Sequence, residues 1–343
     1  MASAARRDPA FLVVGTPRSG TTLVQRLACE LSGVRIPPET HFFAEFLPGL
    51  HRRVRFPLDE ATLRAELALY CAKHYLRDVP LDIGEIVGRL GGTCRDPVDL
   101  FEAVVRQLAG DGWLIGEKTP THLLWWEPLS AALPDLKMVV VVRDPRAVVV
   151  SYGDVGWGGH HLITARRWNH DVRQAFAALG ALGPARVILL RYEDVVTAPD
   201  AARRQLAAFL GAAPLDGPAP EQDVDAVLFP TWEAWKSGAT GTIFTDRVEA
   251  WRRELAPDRQ HSIEAVCWRG MKRLGYGPAP NFLAAALQRG RVGPALRLRM
   301  MRRVMLWRRQ AAERARIARG WSSADDPPSM RCSRHGEHGV PQL

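Results

Sequence analysis

Three short apolar runs constrain the fold most: 11–14 (FLVV), 137–142 (KMVVVV) and 186–190 (RVILL). None alternates polar with apolar residues, so each reads as a strand buried on both faces, as in a parallel sheet. Each is followed by a turn signal and then by helical periodicity, over 20–31, 145–152 and 199–210. Strand followed by helix, three times over, predicts an α/β chain with a parallel sheet flanked by helices. Further helical patterns lie at 59–77, 97–110, 121–132 and 257–274, the last ending at Gly275. Residues 213–246 are rich in Pro, Gly, Thr and acids and read as loop. The 343 residues accommodate one large α/β domain, expected over 1–280. A basic amphipathic helical extension is expected over 281–320 and a disordered tail over 321–343.

The first strand runs directly into a loop and helix, FLVVGTPRSGTTLVQRL (11–27). Gly15 and Gly20 have P-loop spacing, and a strand–loop–helix junction aims backbone N–H groups and a helix N-terminus at a phosphate. A Walker loop puts lysine after its second glycine; here that position is Thr21. Thr22 keeps the hydroxyl, and the cation of the loop is Arg18, in its middle. An Mg–ATP site is therefore disfavoured, and Arg18 suits the far end of a shorter phosphate chain. The bland alternative is a βα turn that binds nothing.

The segment PRSGTT (17–22) resembles the 5′-phosphosulfate loop of sulfotransferases that use 3′-phosphoadenosine 5′-phosphosulfate (PAPS). It has the arginine-bearing form found in tyrosylprotein sulfotransferases and many bacterial members. The resemblance implies that Pro17, Arg18, Ser19, Gly20, Thr21 and Thr22 embrace the 5′-phosphate, with no metal required. The stretch VVVVRDPRAVVVSY (139–152) resembles the 3′-phosphate site of the same family, with Arg143 at a strand end and Ser151 eight residues on. A guanidinium and a hydroxyl are suited to a dianion. A salt bridge from Arg143 to Asp144 or Glu193 is the structural alternative. A third stretch, LLRYEDVVTAPDAARRQLAAFLG (189–211), resembles the family's strand–RYED–helix–FLG segment and brings Tyr192 toward the nucleotide. Arg191, Glu193 and Asp194 read better as an ion-pair and capping cluster. The resemblance covers roughly residues 10–277. It implies a sulfotransferase-like fold, PAPS as donor and adenosine 3′,5′-bisphosphate (PAP) as product.

Sulfuryl transfer needs a base for the acceptor proton and cations for the charge on the sulfuryl and leaving phosphate oxygens. In PPETHFFAEF (37–46), ETHFF resembles the E-x-H-F-F of heparan sulfate sulfotransferases. That makes Glu39 the implied general base, and burial near phosphate would raise its pKa. His41 is the rival base. GEKTPTHL (116–123) resembles the EKTP segment of glycan sulfotransferases, where the lysine reaches the sulfuryl group. Lys118, with Arg18, is therefore implied to stabilise charge, and Glu117 is a less favoured base. The segment TGTIFTDRVEAWRRELAPD (240–258) resembles the family's late W-x-x-x-L element but lacks the preceding R-K-G. Arg247 or Thr240, Thr242 and Thr245 are the candidates to replace it. Trp251 reads equally as a nucleotide neighbour or a core residue. His160 and His161 sit in GDVGWGGHH, which reads as a surface loop or an acceptor lid.

The acceptor class stays open among small molecules, glycans, lipids and peptides, for O- or N-sulfation. The net charge is +9, but residues 281–320 hold eleven arginines, no lysine and one acid, Glu313. The body is thus near neutral, and no nucleic-acid partner is expected. Over 299–316, Met300, Met301, Val304, Met305, Trp307, Ala311, Ala312 and Ala315 fall in one arc of about 160° at 100° per residue. Such a helix docks on its own domain, packs in a homodimer, or lies on an anionic membrane surface through 296–320. Five scattered cysteines without a CxxC predict reduced thiols, no metal site and a cytoplasmic chain.

Overall fold

The computed structural model describes residues 7–110, 112–157, 160–214, 243, 245–277, 294–319 and 321. Of the tail expected to be disordered over 321–343, Trp321 is described and packed, and the rest lies outside the described residues, as does most of the loop over 213–246. The chain opens with β1 (Phe11–Gly15), α1 (Thr21–Cys29) and β2 (Val34–Arg35). It continues through α2 (Leu47–Arg53), α3 (Glu60–Cys71), α4 (Ile83–Arg89), α5 (Pro97–Ala109), β3 (Leu114–Glu117) and α6 (Trp126–Ala132). Next come β4 (Lys137–Val142), α7 (Pro145–Asp154), α8 (His161–Leu182), β5 (Val187–Arg191), α9 (Tyr192–Thr197) and α10 (Pro199–Leu210). The helices α11 (Trp251–Glu254), α12 (Pro257–Leu274) and α13 (Pro294–Ala318) complete the described elements. The sheet has five strands in the order β2-β3-β1-β4-β5, all pairs parallel.

The three apolar runs are its central and edge strands, and their side chains divide between two cores. Leu12, Val14, Met138 and Val140 face the core built with α5 and α8, while Phe11, Val13, Val139 and Val141 face α1 and α10. Burial on both faces is why these runs lack polar alternation. Sequence periodicity did not single out β2 and β3. The first has two residues, and the second, LIGE, carries Gly116 and a buried acid. Gly116 is required by packing: a Cβ there would come 2.4 Å from the Phe11 ring. The 22-residue α8 is a further element that no expectation covered; it starts at His161, inside the stretch read as loop.

The C-terminal helix docks, but along a different line from the expected apolar arc. Ile317 is buried, and Trp307 approaches His170 of α8 with ring centroids 5.1 Å apart. Beyond the helix, Trp321 lies 5.6 Å from Phe43 and stacks on Trp125 at 6.0 Å. Met301 and Met305, toward one edge of that arc, are 57% and 55% exposed. The contact line runs through 307, 314, 317 and 321, because the aromatic rings of α8 and of Phe43 and Trp125 are what the domain offers there.

Candidate active site

The phosphate loop occupies the turn from β1 into α1. Ser19 N–H donates to the Thr16 carbonyl at 3.1 Å, closing the turn. Arg18 takes a left-handed conformation (φ 70°), as does Gly20 (φ 92°) at the helix start. Glycine is needed at 20 for space as well, since a Cβ would come 2.4 Å from the Tyr192 ring. Thr21 and Thr22 open α1, and no side chain caps its N-terminus. The first N–H groups of a helix lack intrahelical partners and carry the positive end of its dipole. Pro17, Arg18, Gly20, Thr21 and Thr22 line one cavity of about 700 Å³. Ser19 sits beneath the turn, fully buried, and its Oγ has no hydrogen-bond partner among the described residues.

Arg143 stands at the end of β4 and lines the same cavity. It donates to two backbone carbonyls, of Arg18 at 3.3 Å and of Arg247 at 2.9 Å. Its guanidinium lies 4.2 Å over the Tyr192 ring, and its Nε is buried without a partner among the described residues. Burial pulls its pKa below the ordinary arginine value. The alternative salt bridges do not form. Asp144 pairs with Arg146 at 2.6 Å, and Glu193 accepts from Asp144 N–H and Tyr276 Oη, each at 2.9 Å. Arg143 is thus a buried cation held by neutral groups, with charge left for an anion. Ser151 lines the cavity too, but its Oγ accepts from Arg18 Nε at 3.2 Å.

Glu39 lines the same cavity, whereas Lys118 does not and sits behind it. Lys118 Nζ donates to Glu39 Oε1 at 2.5 Å, and Lys118 is fully buried. His41 Nε2 lies 3.4 Å from the other Glu39 oxygen. Glu39 and His41 line the cavity, so both candidate bases face the phosphate loop.

Glu117 has a different place. It is fully buried, and its Oε1 accepts from Thr40 Oγ1 at 2.8 Å and Thr119 Oγ1 at 2.6 Å. Its Oε2 meets His122 Nδ1 at 2.9 Å, while Phe43 N–H donates to His122 Nε2 at 3.2 Å. An accepting Nε2 puts the imidazole proton on Nδ1, where it donates to Glu117. Burial alone would raise the Glu117 pKa. The His122 ring and the hydrogen bonds from His122, Thr119 and Thr40 outweigh burial, and the carboxyl stays below its ordinary range. Glu117 ties the ETHFF and EKTP segments together and is no cavity base.

Other candidates take varied places. Trp251 is buried under the Arg146 guanidinium at 3.7 Å, which is the core reading. Arg247 lines the cavity, but its guanidinium pairs with Asp154 and with Glu254 at 3.3 Å. Thr245 is exposed; Thr240 and Thr242 lie outside the described residues. His161 bonds Ser262 Oγ at 3.0 Å and, with His160, lines a separate cavity beside Arg259. Sequence reasoning missed Glu45, His74, Tyr75, Thr121 and Trp157, which also line the main cavity. The helical patterns over 59–77 and 121–132 covered His74, Tyr75 and Thr121 without marking them as site residues, and the structure sets them in 3₁₀ turns (His74–Leu76 and Pro120–Trp125), while Glu45 comes from a π-helical turn (Phe42–Phe46) and Trp157 from the segment after α7.

The fold has relatives. The model of the sulfotransferase family matches residues 9–216, more than half of the chain. The chain is 25% identical over 214 residues to protein-tyrosine sulfotransferase 2 of Gallus gallus, covering 59% of this chain and 51% of that protein. It therefore spans about half the length of that curated relative. The sulfotransferase domain of the Synechococcus PCC 7002 olefin synthase superposes with TM-score 0.51 at 17% identity, over 80% of this chain and 98% of that one. The sulfotransferase domain of the curacin biosynthetic pathway gives TM-score 0.49 at 20% identity, over 80% and 100%. With a five-stranded parallel sheet, a glycine loop at the end of β1 and a family match spanning the loop, Arg143 and the Glu39–Lys118 pair, the chain belongs to the sulfotransferase family.

Proposed function

We propose that the protein transfers the sulfuryl group of PAPS to a hydroxyl or amine of an acceptor, releasing PAP. The observation that carries this reading is one cavity lined by two chemically distinct groups. The α1 N-terminus, Arg18 and Arg143 supply an anion cradle, and Glu39 lines the same cavity with the buried Lys118 behind it. The buried Arg143 Nε and Ser19 Oγ, without described partners, fit a phosphorylated ligand that would complete them. Pro17, Arg18, Ser19, Gly20, Thr21 and Thr22 would hold the 5′ end, and Arg143, Ser151 and Tyr192 the 3′ end.

When bound, PAPS supplies an activated sulfuryl group. Glu39 takes the proton of the acceptor as its oxygen or nitrogen attacks, and Lys118 and Arg18 stabilise the charge on the sulfuryl and leaving phosphate oxygens. For that, Lys118 must turn from Glu39 toward the donor, which leaves the carboxylate available as a base. The proposal includes no metal; it assigns to Arg18, Arg143 and Lys118 the charge that Mg²⁺ and the loop lysine carry in a Walker site.

Calorimetric titration of PAP without Mg²⁺, beside Arg143→Ala and an ATP control, tests the donor. Micromolar or tighter PAP binding that is lost in the variant and far weaker for ATP supports the reading. ATP binding that requires Mg²⁺, or no PAP binding by folded protein, sinks it and favours a P-loop NTPase.

The reading extends to place. No helix among the described residues is long and apolar enough to cross a membrane. Four free cysteines, Cys29, Cys71, Cys94 and Cys267, support a reducing, cytoplasmic setting. The exposed Leu298, Met301, Met305 and Leu306, among arginines of α13, support peripheral contact with anionic lipid. Co-sedimentation with phosphatidylserine vesicles, weakened by salt and by Met301→Glu with Met305→Glu, is the expected result. Equal sedimentation of the double variant removes this part.

A further inference from the structure

Beyond Glu39 the cavity wall continues as a row of rings. His41 approaches Glu39 at 3.4 Å, Tyr75 lies 4.8 Å from the His41 ring, and His74 lies 5.3 Å from Tyr75. All four residues line the main cavity, together with Glu45 and Trp157. The row starts at the proposed base, so a molecule that presents its hydroxyl to Glu39 rests its body against His41 and Tyr75. Flat rings favour an aromatic body, through stacked or edge-on contact. Tyr75 is 6% exposed, and its Oη has no hydrogen-bond partner among the described residues; Thr121 Oγ1, on the same wall, is in the same state. Each is a polar atom that a bound molecule can satisfy.

Charge is distributed unevenly over the lining, with Asp154 already paired to Arg247 and Glu39 to the buried Lys118. The arginines that line the cavity, Arg18, Arg143 and Arg247, belong to the cradle side, where the donor's phosphates would use the first two. The ring row instead carries the exposed carboxylate of Glu45, close enough to act on the Tyr75 phenol. A second carboxylate beside the reacting hydroxyl would meet Glu45 as a like charge, whereas an ammonium would meet it as an opposite one; the Glu39 charge is balanced by Lys118.

We infer that His41, His74, Tyr75 and Glu45 form an acceptor subsite for a phenol-like hydroxyl compound that is uncharged or cationic, and that they disfavour an acidic acceptor. The inference rests on the donor reading above and adds the class of acceptor. It treats Tyr75 and Glu45 as binding residues and leaves the chemistry with Glu39.

Three phenols of similar size serve as probes: tyramine (cationic), p-cresol (neutral) and 4-hydroxyphenylacetate (anionic). Binding to the PAP-loaded protein is measured by calorimetry, and sulfation by transfer of label from PAPS. Tyramine and p-cresol are expected to bind at least about tenfold tighter than 4-hydroxyphenylacetate, a discrimination of about 1.4 kcal/mol. Glu45→Gln should shrink the tyramine-to-4-hydroxyphenylacetate ratio by threefold or more and leave PAP affinity unchanged. Tyr75→Ala should raise KM for tyramine about tenfold with little change in PAP affinity; Tyr75→Phe, which keeps the ring, serves if the alanine variant does not fold and should retain most of the stacking. No phenol binding to a protein that still binds PAP, a preference for the acid, or a Glu45→Gln variant with an unchanged ratio overturns the subsite and leaves the donor reading standing. Loss of PAP binding itself would instead remove the donor reading.

Discussion

Lys118 Nζ sits 2.5 Å from Glu39 Oε1, joining residues 79 apart in sequence, and the lysine is fully buried. The proposed base and the proposed sulfuryl-stabilising cation are thus each other's partner. An ion pair withdrawn from water is stable only while both members remain, because either one alone is a desolvated charge.

Removing one member should therefore cost more than removing both. Lys118→Ala is expected to destabilise the fold by roughly 3–5 kcal/mol, since it strands a carboxylate that is almost fully buried. The double variant Glu39→Gln with Lys118→Met should recover much of that loss. Urea unfolding of the three proteins measures it; equal stability of the single and double variants would contradict the pairing.

Catalysis should respond differently. Glu39→Gln removes the proton acceptor and keeps the shape, so kcat is expected to fall by about 10²–10⁴. PAP affinity should hold, because Glu39 is not part of the cradle. A kcat within a few-fold of the unaltered protein would transfer the base role to His41, the other candidate beside it.

Gly20→Ala tests the cradle. The new Cβ would lie 2.4 Å from the Tyr192 ring at a φ of 92°. Displacing Tyr192 also disturbs the ring on which Arg143 rests at 4.2 Å. PAP binding is expected to weaken by tenfold or more, with a stability loss of about 1–3 kcal/mol for the strained backbone. Unchanged PAP affinity would show that the Tyr192–Arg143 stack does not serve the nucleotide.

The Glu117 brace predicts an acid limb. Its carboxyl lies below the ordinary range in the folded protein, so the unfolded chain takes up the proton first. The stability it contributes is present above the unfolded pKa, about 4.5, and is lost as pH falls through the lower folded value. Glu117→Gln should be less stable than the parent at pH 7, and the gap should narrow on acidification below about pH 4.5. Chemical denaturation at several pH values reads this directly.

His161 acts in a higher window. Burial first, then the neighbouring His160 and Arg259, lowers its pKa to about 4. Unfolding exposes an imidazole with a pKa near 6.5, so the unfolded state binds more protons between about pH 4 and 6.5. Stability from this group is complete above about pH 6.5 and declines as pH falls toward 4. His161→Gln should flatten that part of the stability profile; an unchanged slope would place the titrating group elsewhere.

Much of this site could be read before any coordinates. The glycine loop, Arg143 with Ser151, and the ETHFF and EKTP segments are local patterns, and a strand followed by a turn fixes where their side chains begin. The runs at 11–14 and 137–142 became the adjacent strands β1 and β4, which bring Arg18 and Arg143 to one cavity. Other elements left no such trace. The strand β2 has two residues, too few for periodicity, and β3 is held by Gly116 against the Phe11 ring. The 307–314–317–321 line of α13 reflects which aromatic rings happened to stand opposite it, while the residues with the stronger apolar pattern, Met301 and Met305, face outward.

The sequence alone determined the strand–loop–helix units, the glycine-loop pattern of 17–22 and the residue types proposed to carry sulfuryl transfer. These depend on neighbours within about two turns of chain, where periodicity and backbone conformation are set locally. Tertiary structure decided which of them meet. It paired Lys118 with Glu39, withdrew Glu117 into a brace with His122, sent Trp251 to the core and His161 to another cavity, and brought Tyr75 and His74 to the wall beside the base. Those outcomes follow from packing between segments tens of residues apart, where burial and the need to pair every buried charge and hydrogen-bonding group select among partners that the sequence presents equally.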